Sequence, residues 1–239
     1  LSADDMAILE RMRNLVLVTA ASVCLTSWTQ PEYAVFVAGG WGLLNVPDEP
    51  KASLILIPGG DGEMHIEPNG TFQRLAGNQL VRTRRTYGAH SIATLTVDKP
   101  VDVAKVVAYM RRVASPVAVV ATSRGSLRVP QALDGRPDAV VVTSAFLDEV
   151  RQAVMNPARL PPTLVVHHRG DACWFTPKSA VAPFKAWGGR KVSVAWLDGG
   201  INEGDPCQAF SVHGFNGLDA DVVNLVAKFV LNLKPASAR

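Results

Sequence analysis

Little in this chain points to nucleic acid, a bilayer or a metal. The net charge is only +3. The basic clusters (Arg82, Arg84 and Arg85, with Arg111 and Arg112) have no interleaved aromatics, so they read as solvated helix surface rather than as a phosphate-binding face. The apolar run LVLVTAASVCLTS at 15–27 has 13 residues, too few to cross a bilayer as a helix. His167 and His168 stand side by side, but no cysteine or carboxylate follows at ligand spacing on a shared face, so no metal is expected there. His65 and His90 fall in loop and helix-like segments and read as structural or exposed. Cysteine is limited to Cys24, Cys173 and Cys207. Internal repeats and low-complexity segments are absent.

Arg11 and Arg13 precede the apolar run, which gives it the flank and length of a secretory signal core. Residues 1–28 are therefore expected to be a signal or extension, with 29–239 forming one domain. A buried first helix or strand is the other reading. Neither Ala34 nor Cys24 has the preceding small residue that a cleavage site prefers. Removing such a segment would leave only Cys173 and Cys207, and two cysteines in an exported chain can pair. Two free thiols in a cytosolic protein are the alternative.

Hydrophobic residues make up 48% of the 239, enough to bury a sheet on both faces. From residue 32 the pattern alternates as in an α/β fold. Strands are expected over 32–38, 42–46, 53–58, 92–98, 116–121, 138–144, 162–168 and 191–198. Helices are expected near 82–90, over 102–114 and from the elbow at 123 to about 133, then over 176–187, opened by Thr176-Pro177, and over 219–233. The segment from 144 to 162 reads as a linker.

The chemistry begins behind the run PVAVVA at 116–121, which leads into Thr122-Ser123-Arg124-Gly125. A buried strand ending in small-X-Ser-X-Gly sets its serine on a sharp strand-to-helix turn with the hydroxyl in the open. Ser126, just past the turn, reads as a helix residue bonded locally. An acid and a histidine follow at strand ends: Asp171 in Arg-Gly-Asp after 162–168, and His213 in Ser-Val-His-Gly-Phe after 191–198. Asp148 and Asp198 are the other candidates for the acid. Ser123 would attack a carbonyl carbon, His213 would move its proton, and Asp171 would hold the imidazole. Developing oxyanion charge needs backbone donors. The N–H of Arg124 is one, and the loop Pro58-Gly59-Gly60-Asp61-Gly62 supplies the other, Gly60 first and Asp61 next. Cys173 lies beside the acid and Cys207 before the histidine, so a disulfide between them would tie both loops. The pocket wall is expected from 61–80 and 144–162.

Taken together, Ile-Pro-Gly-Gly-Asp-Gly (57–62), Ala-Thr-Ser-Arg-Gly (121–125), His-His-Arg-Gly-Asp (167–171) and His-Gly-Phe (213–215) resemble a small bacterial α/β-hydrolase of the serine-hydrolase superfamily over residues 32–235. The order Ser123, Asp171, His213 is the order of that superfamily. Ala121 stands where a glycine is usual. The resemblance implies a twisted, mostly parallel eight-stranded sheet with helices on both faces, a Ser-His-Asp triad and no cofactor. The short stretch before Pro162 leaves no room for a large lid domain. An exported (periplasmic or secreted) hydrolase of small soluble esters follows, with no nucleic-acid partner and no stable membrane span. Amide or thioester cleavage and a non-catalytic binding role are the competing readings.

Overall fold

Four runs of apolar, mostly β-branched residues build the middle of one sheet: β3 (Ala52–Ile57), β5 (Val117–Thr122), β6 (Ala139–Thr143) and β7 (Thr163–His168). Every residue in them is buried, as parallel strands covered on both faces require. The remaining strands are β1 (Glu32–Val37), β2 (Gly40–Asn45), β4 (Ile92–Val97) and β8 (Val192–Leu197). The sheet order is β1-β2-β4-β3-β5-β6-β7-β8. Only the β1–β2 and β2–β4 pairings are antiparallel; the other five are parallel. The computed structural model describes residues 31–99 and 101–233, so the signal expected at 1–28, with Cys24, lies outside the described residues.

Because strand side chains alternate between faces, β3 feeds two cores. Ile55 and Ile57 join Val119, Val140 and Val165 under α2 (Val103–Val113), α3 (Val129–Ala132), α4 (Leu147–Val154) and α5 (Val181–Gly188). Leu54 and Leu56 point the other way, toward Val120, Val141 and Val166, under α1 (Gln79–Arg82) and α6 (Asp219–Leu231). In α2 the helical spacing of Val103, Val106, Val107 and Met110 is the buried stripe. Asp102 caps that helix by accepting from the N–H groups of Ala104 and Lys105, which satisfies donors the first turn leaves open.

Several expectations need correction. The supposed linker at 144–162 contains α4, whose Leu147, Val150 and Val154 are buried. The helix expected near 82–90 is two pieces, α1 and a 3₁₀ turn at Thr86–His90. The helix expected from Thr176 begins with a 3₁₀ turn at Lys178–Ala180 and becomes α-helical at Val181. Nor is the arginine cluster uniformly solvated surface. Arg84 pairs with Glu32 on β1 at 2.7 Å, and Arg82 is likewise largely enclosed. His167 and His168 are both buried, because β7 lies between β6 and β8 and is covered on both faces. Strand alternation in the sequence alone would turn one of the pair into the core and the other to the surface, which fails for a strand covered on both faces.

Candidate active site

At the carboxyl end of β5 the chain turns at Ser123 with φ = +48°. Non-glycine residues avoid this left-handed region, and where one is held there the surrounding structure must enforce it. Gly125 is part of that enforcement: a Cβ on it would fall 2.4 Å from the Pro58 carbonyl oxygen and 2.6 Å from that of Ile57. The elbow can therefore press against the end of β3 only with glycine at this place. Ser126 closes the turn from below, donating to the Ser123 carbonyl at 2.6 Å and accepting from the Phe146 N–H at 3.0 Å.

His213 comes to this serine from a 3₁₀ turn, Val212–Gly214, ahead of α6. Its Nε2 lies 3.1 Å from Ser123 Oγ, and its Nδ1 lies 3.0 Å from Asp171 Oδ2. The carboxylate accepts the Nδ1 proton, so Nε2 is left to accept from the serine hydroxyl. Asp171 is buried, and its second oxygen accepts from the Cys173 N–H at 2.9 Å. Of the other acids, Asp148 pairs with Arg151 at a half-buried position and Asp198 with Arg169 at an exposed one. Of the three, only Asp171 hydrogen-bonds His213.

The neighbouring histidines do different work. His168 Nδ1 accepts from the Gly170 N–H at 3.0 Å, so its Nε2 carries the proton and donates to the Gly199 carbonyl at 3.0 Å. It pins the loop that carries Asp171 to the loop after β8. His167 Nδ1 is 3.8 Å from Asp171 Oδ2. Burial pushes His167 below the usual imidazole range, with the nearby carboxylate pulling the other way.

Four further residues support His213. Thr176 Oγ1 lies 3.3 Å from His213 Nδ1. Ser211 Oγ accepts from the His213 N–H at 3.2 Å, and Ser144 Oγ donates to its carbonyl at 2.8 Å. Arg82 does the most. It grips Asp219 at 2.7 Å and donates to the carbonyls of Gly77 (2.6 Å) and Gly214 (2.8 Å), with a longer bond to that of Ala209 (3.3 Å). One guanidinium thus joins the loop at 77, the loop at 209, the histidine turn and the start of α6. Arg82→Ala leaves these carbonyls and the aspartate without their donor, and is expected to cost about 2–3 kcal/mol of stability. A thermal melt checks this.

The cavity over Ser123 has a volume of about 490 Å³. Leu75, Phe146, Phe175 and Phe210 give it apolar walls, and the Cys173–Cys207 disulfide forms part of one side. The expected wall at 61–80 is present through Asp61 and residues 75–79, but 144–162 contributes only Phe146. The rest of that wall comes from 173–175 and 207–210, which sequence position gave no reason to choose. Gly60 (φ = +66°) and Arg124 line the cavity beside Ser123. The disulfide closes a separation of 34 residues, so replacing both cysteines with serine should destabilise by about 3–4 kcal/mol in the loop-entropy account. Intact mass before and after reduction, with melts of both forms, measures it.

No family model matches the sequence, and no curated protein does. Solved structures do resemble it. An α/β serine hydrolase homologue from Coxiella burnetii superposes with a TM-score of 0.57 at 15% identity, covering 84% of this chain and 97% of its own. The fold is that of the α/β-hydrolases. A serine hydrolase without a lid from Xanthomonas campestris gives 0.59 at 13% identity over 87% of this chain and 97% of that one. A dienelactone hydrolase from Anabaena variabilis gives 0.60 at 15% identity over 86% and 99%. In this α/β-hydrolase fold Ser123, Asp171 and His213 follow β5, β7 and β8, at the sheet edge where loops converge.

Proposed function

We propose that this protein is a serine hydrolase that cleaves carboxylic esters of small substrates through an acyl-enzyme on Ser123. The observation that carries this reading is the continuous path Ser123 Oγ, His213 Nε2, His213 Nδ1, Asp171 Oδ2, with both gaps at hydrogen-bond distance. Solved structures of the same fold that are named as serine hydrolases and esterases support it.

The Ser123 oxygen adds to the ester carbonyl as its proton passes to His213 Nε2. Negative charge then collects on the former carbonyl oxygen, and the N–H groups of Arg124 and Gly60 receive it in this reading. Asp171 stabilises the imidazolium throughout. The intermediate collapses, His213 returns the proton to the departing alkoxide, and the alcohol leaves. Water, deprotonated by the same imidazole, hydrolyses the acyl-serine and restores the enzyme. Among the described residues no helix is long and apolar enough to cross a membrane. The disulfide supports export to an oxidising compartment as part of this reading.

A fluorophosphonate probe tests the reading with no guess at substrate. One adduct on the folded protein, and turnover of short-chain phenyl esters, are expected. Absence of any adduct on folded protein would remove the hydrolase reading in favour of a binding role.

A further inference from the structure

A second cavity adjoins the one over Ser123. It measures about 340 Å³ and shares Gly60, Asp61 and Arg124 with the first. Its outer walls include Lys99, Val101, Leu127, Arg128 and Gln131. Three cations therefore border it against one acid.

The charges are not equally engaged. Asp61 accepts from the Glu63 N–H at 3.0 Å and pairs with Arg74 at 2.6 Å. Those contacts, led by the Glu63 N–H, hold its carboxyl below the usual carboxylate range. Lys99 lies 3.2 Å from Glu63. Arg128 donates to the Val101 carbonyl and keeps a second, buried nitrogen without a partner; burial pushes its guanidinium below the usual range, with Asp98 and Asp102 pulling the other way. Arg124 differs from all of these. It is exposed, and among the described residues its side chain has neither an acid nor a carbonyl to bond. A guanidinium with five donors and no partner, one residue from Ser123 and bordering both cavities, is placed to take a planar anion in bidentate fashion.

Which end of the substrate carries that anion follows from His213. The leaving group has to reach Nε2 to be protonated, and His213 lines only the first cavity. The second cavity joins the first at Gly60, Asp61 and Arg124 and lacks His213, so by elimination it is assigned to the acyl portion. We propose that Arg124, with Lys99 behind it, binds a carboxylate on the acyl portion, so that the preferred substrates are esters of dicarboxylic acids with one end free. This rests on the serine-hydrolase reading above.

Monophenyl glutarate and phenyl pentanoate have the same leaving group and the same acyl length, and differ in the terminal charge. Wild type is expected to favour the glutarate in kcat/KM. The ratio of the two values should fall about 10-fold in Arg124→Gln, where one charge-assisted contact is lost. It should fall further in Arg124→Glu, fall several-fold in Lys99→Gln, and be kept only in part in Arg124→Lys, which retains the charge but not the planar fork. Reading the ratio removes any common effect on the oxyanion donors. A ratio unmoved in both Arg124→Gln and Arg124→Glu overturns the proposal. So does a wild type that cleaves the pentanoate in preference, which leaves the hydrolase reading intact. A wild type that cleaves neither ester overturns both.

Discussion

Ser123→Ala will abolish ester hydrolysis, with kcat falling on the order of 10⁶-fold, and will take no fluorophosphonate adduct. The size of the effect follows from the geometry: with Oγ removed, His213 Nε2 has no hydroxyl to deprotonate at 3.1 Å, and no acyl-enzyme can form. Stability should change by less than about 1 kcal/mol, because only one partly exposed hydroxyl is lost. Ser123→Gly separates activity from strain. At φ = +48° glycine carries no Cβ penalty, so this variant should be inactive yet more stable than Ser123→Ala by about 1 kcal/mol. Kinetics and melts of the three proteins decide it. Activity retained in purified Ser123→Ala would remove the serine from its role.

Asp171→Asn should cost about 10⁴-fold in kcat, and the reason lies in the second oxygen. Oδ1 accepts from the Cys173 N–H while Oδ2 faces His213 Nδ1. Both neighbours are donors, and an amide offers one acceptor only. If the Asn oxygen keeps the Cys173 bond, its NH₂ faces Nδ1 and drives the histidine proton to Nε2. That nitrogen then donates to Ser123 and can no longer act as its base. If the amide is flipped, its NH₂ opposes the Cys173 N–H. Either arrangement suppresses the reaction with little change in shape. Turnover and the rate of probe labelling should fall together, while the melting temperature drops modestly. A loss below 10-fold would mean that another group orients His213.

Much of this arrangement was legible in the sequence because each part sits at the end of an apolar run. The strands announced themselves by composition, and the elbow by Ser123 and Gly125, whose small size the close approach to Ile57 and Pro58 requires. The α4 helix was missed because its eight residues have too few turns for a period to show beside Pro157. Arg82 was misread as surface. Nothing local marks an arginine whose acceptors at 77, 209, 214 and 219 are brought together only by tertiary structure. Ser144 is hidden for the same reason, its bond to the His213 carbonyl spanning 69 residues, whereas Ser211 caps the histidine turn from two residues before it. Chemistry confined to one turn can be read from neighbours in sequence, and chemistry assembled from four loops cannot.

The Arg82 clamp and the disulfide bear on how this site could be retuned. The segment 207–210 walls the cavity, yet it is bonded through Cys207 to the loop of Asp171 and through Arg82 to the turn of His213. On the proposed serine-hydrolase reading, substrate choice and turnover are therefore mechanically linked on that side, and remodelling Phe210 to admit a larger acyl group would disturb the proton relay as well. Phe146 offers a more separable handle. Its ring meets Phe175 across the opening, while its backbone N–H, which a change of side chain leaves in place, keeps the bond to Ser126. Directed libraries, and natural drift in specificity, would find their freest path at Phe146.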